Sequence, residues 1–322
     1  MSPVALGFIG FGIMGERLLR AAVDHGSVRV AGVWDPSPGA MARLARDFPA
    51  VAALDSPGAV VAAADCLHVA SPPTSHLGHA RAILAAGRAA FLEKPLAVDI
   101  ADARRFVAEA GAARAAVNFP FASSLAVAQL ASWVDEGAVG EPAGLAIKVA
   151  FATWPRPWQA DAAGWLSRRA EGGFTREVVS HFLFLARRRL GPLAVLSRRA
   201  DYPAGDGSET AIAAELTAGG VPVTLTGGVG TTEAADHNLW ELTGDRGAIR
   251  LRDWSIAERR AADGTWHQAP EAMANERARP LVLARQLDQL VAMTQGERHS
   301  LATVTEALDV QVAVETILGA AG

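Results

Sequence analysis

The chain has 322 residues, of which 50% are apolar and 20% charged, enough for one large domain or two moderate ones. Its formal net charge of -4 gives no basic footprint for nucleic acid, and no apolar run reaches the roughly 18 to 20 residues of a membrane span. The single cysteine, Cys66, excludes an internal disulfide, and no basic stretch precedes the first apolar segment, so we expect a soluble, cytoplasmic protein.

Short apolar runs alternate with alanine-rich helical stretches over the first 120 residues. The predicted strands cover residues 4–9, 28–34, 66–70 and 89–92, and the predicted helices cover 14–25, 40–48 and 76–86. Apolar strands that alternate with helices indicate a parallel sheet covered on both faces, and right-handed crossovers make it doubly wound. The sequence therefore predicts a first α/β domain over residues 1–120.

The pattern changes after residue 121. A helix is predicted over 124–136, strands over 144–152, 210–217 and 221–229, a hairpin turning at 245–247, and helices over 281–294 and 303–320. Consecutive strands with tight turns indicate an open, mostly antiparallel sheet. We therefore predict a second α/β domain over residues 121–322.

A glycine-rich run lies between the first strand and the first helix. It consists of Gly10, Phe11, Gly12, Ile13, Met14 and Gly15. This G-x-G-x-x-G spacing permits a tight turn, a close approach of a pyrophosphate and close packing of the helix on the strand. Asp35 ends the next strand, where a carboxylate can accept both ribose hydroxyls. The pattern predicts a Rossmann domain that binds NAD, with NADP left open by Ser37 and Arg43.

The basic residues are almost all arginines. Of 30 basic residues, only Lys94 and Lys148 are lysines. Arginine does not release a proton near neutral pH, so the lysine in the segment Glu93-Lys94-Pro95 points to a need for an amine there. Chance, or a surface lysine after a strand, is the alternative interpretation.

Several motifs together resemble the Gfo/Idh/MocA oxidoreductases, the family of glucose–fructose oxidoreductase and inositol dehydrogenase. They are the glycine run, Ser71-Pro72-Pro73 with His76, Glu93-Lys94-Pro95, and Gly172-Gly173 followed by Glu177 and His181. The resemblance implies a cis Lys94–Pro95 bond that aims the amine at the nicotinamide. It also implies that Lys94 is the principal acid and base, and that His181 and Glu177, four residues apart on one helix face, hold the reacting hydroxyl. A buried structural role for His181 is the alternative.

The resemblance also implies the remaining contacts. The expected cofactor-binding residues are the six of the glycine run with Asp35, Ser37, Ser71, Pro72, Thr74, His76, Glu93, Lys94 and Asn118. The expected substrate-binding residues are Trp154, Trp158, Arg176, Glu177 and His181. Tryptophan faces can stack on sugar rings, although packing within the domain or at a subunit contact would also explain a Trp-rich loop. No metal site is expected, since no third ligand accompanies Glu177 and His181.

These features predict an NAD(P)-dependent oxidoreductase that acts on a CH–OH or C=O group of a sugar, cyclitol or related small molecule bound between the domains. Two alternatives stay open: a hydrolase or lyase that uses NAD without net redox, and a dinucleotide-sensing regulator without catalysis. The resemblance further implies a homodimer or homotetramer that associates through the outer face of the second sheet.

Overall fold

The computed structural model describes residues 2–319 and divides the chain into two compact units. The first unit consists of the residues up to Ser123 together with Pro280–Leu308. The second consists of Ser124–Arg279 together with the residues from Asp309 onward. The two-domain organisation thus has a boundary close to the predicted one, but the second unit is not the uninterrupted run 121–322 that the sequence predicted.

The first unit is built on a six-stranded sheet. Its strands are β1 (Val4–Ile9), β2 (Val28–Trp34), β3 (Cys66–Val69), β4 (Ala89–Leu92), β5 (Ala115–Val117) and β14 (Ala302–Thr303), in the order β14-β5-β4-β3-β1-β2. All neighbours are parallel except the antiparallel pair of β14 and β5. Every residue of β1, β3 and β4 is buried, because helices cover both faces of a doubly wound sheet. The predicted Rossmann architecture is confirmed.

The helices of this unit follow the strands in the expected alternation. They are α1 (Ile13–Val23), α2 (Pro38–Asp47), α3 (Pro57–Ala63), α4 (Pro73–Ala85) and α5 (Ile100–Ala110). Helix α4 begins three residues before its predicted start, because Pro73 occupies the first helical position, where its missing N–H costs nothing. The sequence analysis did not identify α3 and α5.

Residues 280–308 join the first unit because their apolar side chains complete its core. Leu287, Leu290 and Met293 lie on α9 (Asn275–Gln295) and are buried in the same cluster as Phe8 and Phe91. Strand β14 then extends the sheet at β5. A sequence pattern identifies an amphipathic helix but not the sheet it covers, so the predicted boundaries placed this segment in the second domain.

The second unit contains an eight-stranded sheet. Its strands are β6 (Pro142–Phe151), β7 (Leu193–Asp201), β8 (Ala211–Ala218), β9 (Val221–Val229), β10 (Asp236–Gly244), β11 (Ala248–Arg252), β12 (Ile256–Arg260) and β13 (Trp266–Gln268), in the order β13-β12-β11-β10-β6-β9-β8-β7. Among the described strands of this sheet, only β6 and β9 pair in parallel. The predicted open, mostly antiparallel sheet is confirmed, and so is the hairpin between β10 and β11.

The remaining helices are α6 (Leu125–Asp135), α7 (Ala163–Leu166), α8 (Ser180–Leu190) and α10 (Val304–Leu318). Along β8 the side chains alternate between buried and exposed, which shows that one face of the sheet is covered. Helix α8 packs on that strand and contains five consecutive buried residues, 182–186. The predicted end of the last helix, residue 320, lies outside the described residues.

Candidate active site

The glycine run connects β1 directly to α1. Gly10 has a φ of 99°, and a Cβ atom there would lie 2.5 Å from the backbone of Ala70 and Ser71, so only glycine fits. Gly12 precedes α1. Within residues 2–319, no side chain caps the start of this helix, and a Cβ atom at Gly12 would meet no atom within 4 Å. Open space beside the uncapped N-terminus of an 11-residue helix fits a pyrophosphate group, which would accept hydrogen bonds from the helix N–H groups.

Asp35 lies directly after β2 and bridges two loops. Its Oδ2 accepts a hydrogen bond of 2.7 Å from the Phe11 N–H, and its Oδ1 accepts one of 2.8 Å from the Ser37 N–H. Each carboxylate oxygen retains a second lone pair for a ribose hydroxyl. The Ser37 hydroxyl accepts from the Ala40 N–H and caps α2. Arg43 donates to the Phe11 carbonyl oxygen at 2.5 Å, which places a cation beside this loop.

The segment after β3 is tied to the segment after β4 by His76. The side chain is buried, and its ring nitrogens lie 2.8 Å from the Ser71 carbonyl oxygen and 2.9 Å from that of Pro95. Burial lowers the pKa of His76, although the two carbonyl oxygens oppose the shift. The structure thus gives His76 a bridging role between two backbone segments. Pro72 and Thr74 are exposed at the start of α4.

Lys94 follows β4 and is half-buried. Its bond to Pro95 is cis, as the resemblance implied. The neighbouring Glu93 is buried, and its Oε1 accepts a hydrogen bond of 2.6 Å from the Asn118 amide. Burial alone would raise the pKa of Glu93, but hydrogen bonds from His68 and Asn118 and the charges of His68 and Lys94 outweigh burial and lower it. Glu93 is therefore a carboxylate at neutral pH, adjacent in sequence to the lysine.

In the second unit, Glu177 and His181 lie on consecutive helical segments. Glu177 belongs to a single π-helical turn, Thr175–Val179, and His181 belongs to the first turn of α8. Both side chains are half-buried. The pair therefore spans the junction of a π-turn and an α-helix, because the π-turn contains one residue more than an α-helical turn. Such turns occur frequently at functional sites.

The second of the two glycines before this turn, Gly173, is required by the local backbone conformation. Gly173 has a φ of 97°, and a Cβ atom there would collide with the carboxylate of Glu209. Glu209 is 1% exposed, and its Oε1 accepts a hydrogen bond of 2.7 Å from the Thr175 N–H. Burial raises the pKa of Glu209. This acid at the helix start was not identified from the sequence, since no motif marks it.

Trp254 is a second residue that the sequence analysis missed. It packs edge-on against the His181 ring, with centroids 5.7 Å apart, and against Phe182 at 5.3 Å. It lies in the turn between β11 and β12, where Asp253 and Trp254 have φ values of 49° and 72°. A bulky residue rarely adopts this left-handed conformation. Asn238 supports it by accepting a hydrogen bond of 2.9 Å from the Trp254 N–H.

Arg176 makes contacts within its own unit. Its guanidinium donates to both carboxylate oxygens of Glu315 at 2.6 and 2.7 Å, and to the carbonyl oxygens of Arg169 and Gly172. All three guanidinium nitrogens donate to these partners, and the hydrogen bonds hold the loop before the π-turn in place. A contact of Arg176 with substrate stays a prediction.

The Trp-rich loop contains one packed and one exposed tryptophan. Trp154 packs against Phe151 and donates from Nε1 to the Leu166 carbonyl oxygen, whereas Trp158 is 51% exposed. Arg156 lies over both indole rings and pairs with Asp236 at 2.8 Å. The packing interpretation therefore applies to Trp154, and a contact of the exposed Trp158 with substrate stays a prediction.

Two further observations concern residues 2–319. No helix in this part of the chain is long and apolar enough to cross a membrane. In the same described range, no three His, Cys, Asp or Glu side chains are grouped in a way that could hold a metal ion.

Comparison with known proteins connects this geometry to a family. Residues 4–119 match the Gfo/Idh/MocA oxidoreductase family, described as an NAD-binding Rossmann fold. No curated protein matches the chain significantly.

Solved structures with the same fold cover nearly the whole chain. An oxidoreductase from Agrobacterium radiobacter in complex with NAD+, L-tartaric acid and magnesium has a TM-score of 0.83 at 19% identity, covering 99% of this chain and 96% of that one. WlbA dehydrogenase from Bordetella pertussis with NADH and UDP-GlcNAcA has a TM-score of 0.80 at 18% identity, covering 99% and 96%. UDP-N-acetylglucosamine 3-dehydrogenase GnnA from Acidithiobacillus ferrooxidans has a TM-score of 0.77 at 16% identity, covering 99% and 98%. At these identities, the likeness establishes the fold.

Proposed function

We propose that this chain, whose residues 4–119 match the NAD-binding Rossmann model of the Gfo/Idh/MocA oxidoreductase family, is an NAD-dependent oxidoreductase that oxidises or reduces a sugar, cyclitol or related small molecule. The reacting centre is a carbinol or carbonyl carbon, and Lys94 is the acid and base. Two structures of the same fold support the sugar class, since one contains UDP-GlcNAcA and the other is a UDP-N-acetylglucosamine 3-dehydrogenase.

The observation that carries the proposal is the position of Lys94 in the sheet. Strands β1, β3 and β4 are parallel neighbours, so their carboxyl ends lie at one edge. The glycine run follows β1 and Lys94 follows β4, so both segments begin at this edge, which supports the proposal. Ligands of open parallel sheets bind at this edge.

In the oxidation direction, the unprotonated Nζ atom of Lys94 accepts the proton of the substrate hydroxyl as the carbinol carbon loses its hydride. In the reduction direction, the Lys94 ammonium returns that proton to the carbonyl oxygen. NAD, when bound, supplies the hydride acceptor or, in its reduced form, the hydride. Gly10–Gly15 and Asp35 would hold its pyrophosphate and ribose.

His181 and Glu177 complete the proposed machinery. A half-buried imidazole next to a π-turn can donate a hydrogen bond to the reacting oxygen, and a carboxylate in the preceding turn can accept one from a neighbouring hydroxyl. The contact of His181 with Trp254 supports this role because it limits the motion of the ring.

We also propose a cytoplasmic homodimer or homotetramer. Along β8 and β9 the exposed positions include Ala213, Glu215, Thr224 and Thr226, which gives one face of the second sheet a mixed small and polar surface. Light scattering of the purified protein tests the oligomeric state, and a monomer would contradict it.

The two lysines of the chain allow a matched test. Replacing Lys94→Met removes the proposed acid and base, so we expect turnover to fall about a hundred- to ten-thousandfold while NAD still binds. Lys148→Met, at an exposed position on β6, is the control that should retain activity. NADH formation with a panel of polyols and keto sugars measures turnover, and fluorescence titration measures NAD binding. Unchanged turnover in Lys94→Met would exclude the role of this lysine, and bond cleavage without net NADH would indicate the lyase alternative.

A further inference from the structure

A row of four buried polar side chains crosses the first unit next to Lys94. His68 Nε2 lies 2.9 Å from Glu93 Oε1, the Asn118 amide donates to the same oxygen at 2.6 Å, and the Gln286 amide donates to Asn118 Oδ1 at 2.7 Å. The four residues are between 0% and 8% exposed. They come from β3, from the ends of β4 and β5, and from α9.

Burying these four polar side chains costs desolvation free energy that apolar side chains would not cost. The His68 ring lies between the rings of Phe8 and Phe91, with centroids 5.7 and 5.4 Å away, so apolar groups flank it on both neighbouring strands. Within residues 2–319, His68 Nδ1 and Gln286 Oε1 have no hydrogen-bond partner although both are buried. Each such atom carries a desolvation cost, so the row needs another reason.

The direction of each hydrogen bond gives that reason. Asn118 can present either its NH₂ group or its oxygen to Glu93, and only the NH₂ group attracts a carboxylate. Gln286 donates to the Asn118 oxygen and so fixes the amide with its NH₂ group toward Glu93. His68 donates to the same Glu93 oxygen from the other side. Two donors from two elements therefore hold one carboxylate oxygen in place.

We propose that His68 and Gln286 are positioning residues that fix the Glu93 carboxylate and, through it, the orientation of Lys94. The proposal rests on the proposed role of Lys94. Glu93 follows β4 and donates its N–H to the Val69 carbonyl oxygen. Hydrogen bonds therefore fix both the backbone and the side chain of the residue immediately before Lys94. The lowered pKa of Glu93 is consistent with a carboxylate held as an anion.

A double-mutant cycle separates positioning from simple core packing. Because a hydrogen bond to a charged group is lost, His68→Leu should lower kcat about tenfold, with the Kd of NAD nearly unchanged since the glycine run and Asp35 are untouched. In a Glu93→Gln background the same change should lower kcat by less than about twofold, because its target is gone. His68→Gln, which keeps an N–H donor, should restore most of the lost activity.

Two more variants keep the test decisive. Gln286→Leu should also lower kcat, and this variant tests the proposal even if His68→Leu does not fold. Phe106→Leu removes buried volume from α5, away from the row, and is the control for lost stability. Equal losses of kcat with and without Glu93, or a fall in melting temperature with no change in kcat, would overturn the proposal.

If the proposed role of Lys94 is wrong, the Lys94→Met variant will keep its activity, which distinguishes that outcome from failure of the positioning proposal. Nitrogen-15 NMR of the imidazole rings then still tests whether His68 is hydrogen-bonded to Glu93. The His68 signal, assigned with His68→Leu, should shift in Glu93→Gln. A signal that does not respond would overturn the positioning role whatever the activity of the lysine variant.

Discussion

Asp35 serves two neighbours at once. Its two oxygens accept hydrogen bonds from the Phe11 and Ser37 N–H groups, so the carboxylate shapes the glycine loop in addition to its proposed contact with the ribose. Arg43 lies against the same loop, through its bond to the Phe11 carbonyl oxygen and its contact with the Phe11 ring. The acid disfavours a 2′-phosphate, and the arginine would attract one if the acid were absent.

Replacing Asp35→Ser should therefore weaken NAD binding about tenfold or more, since two ribose hydrogen bonds to a charged acceptor are lost. Binding of NADP should weaken less or improve, because the repulsion of its phosphate is removed while Arg43 stays. Titrations with both dinucleotides measure the ratio. Asp47→Asn, at an exposed position where the carboxylate pairs with Arg46, is the matched control. An unchanged NAD:NADP ratio in Asp35→Ser would contradict this assignment.

At the scale of elements, the start of α8 depends on a glycine and a buried acid. Gly173 lets the backbone turn with a positive φ directly beside Glu209, whose carboxylate accepts from the first N–H of the π-turn. The same turn carries Glu177 and leads into the helix of His181. The placement of both candidate catalytic residues thus depends on this contact.

Gly173→Ala should destabilise the protein by about 2 to 4 kcal/mol, because it combines an unfavourable φ with a collision against a buried carboxylate. Gly164→Ala, in α7 where a Cβ atom meets nothing within 4 Å, should change stability by less than about 1 kcal/mol. Urea unfolding measures both. Similar midpoints for the two variants would show that the Gly173 geometry is not required.

The sequence predicted some elements better than others for identifiable reasons. Strands β1 and β4 are continuous apolar runs next to helical periodicity, so pattern alone identified them. The π-turn was missed because positions 177 and 181 fit an α-helix equally well. The turn at Asp253 and Trp254 was missed because neither residue is the glycine or asparagine that normally signals a positive φ.

For the whole molecule, the important feature is the late segment in the first core. Leu290 is 1% exposed and lies in one cluster with side chains of β1 and α1. Long-range partners of this kind leave no local signal, which explains why the sequence placed residues 280–308 in the second domain. The hydrogen-bonded row that contains His68 and Gln286 was not predicted for the same reason. These two residues are 218 positions apart in the sequence, and only the fold brings them together.

Leu290→Ala should accordingly lower the free energy of unfolding of the first unit by about 2 to 5 kcal/mol, as expected for a cavity in a core. Leu196→Ala, at a position 68% exposed on β7, should have an effect below about 0.5 kcal/mol. Urea titration followed by the loss of NADH fluorescence reports on the first unit specifically. A loss of dinucleotide binding at the same urea concentration in both variants would contradict the shared core.

The split composition of the first unit also has a consequence for biosynthesis. A ribosome that has released residues up to 123 has produced five of the six strands but none of the side chains of α9 that seal them. In the nascent chain, the apolar surface of this N-terminal segment therefore stays uncovered until residues 280–308 emerge. We therefore expect the first unit to be most prone to aggregation during that interval.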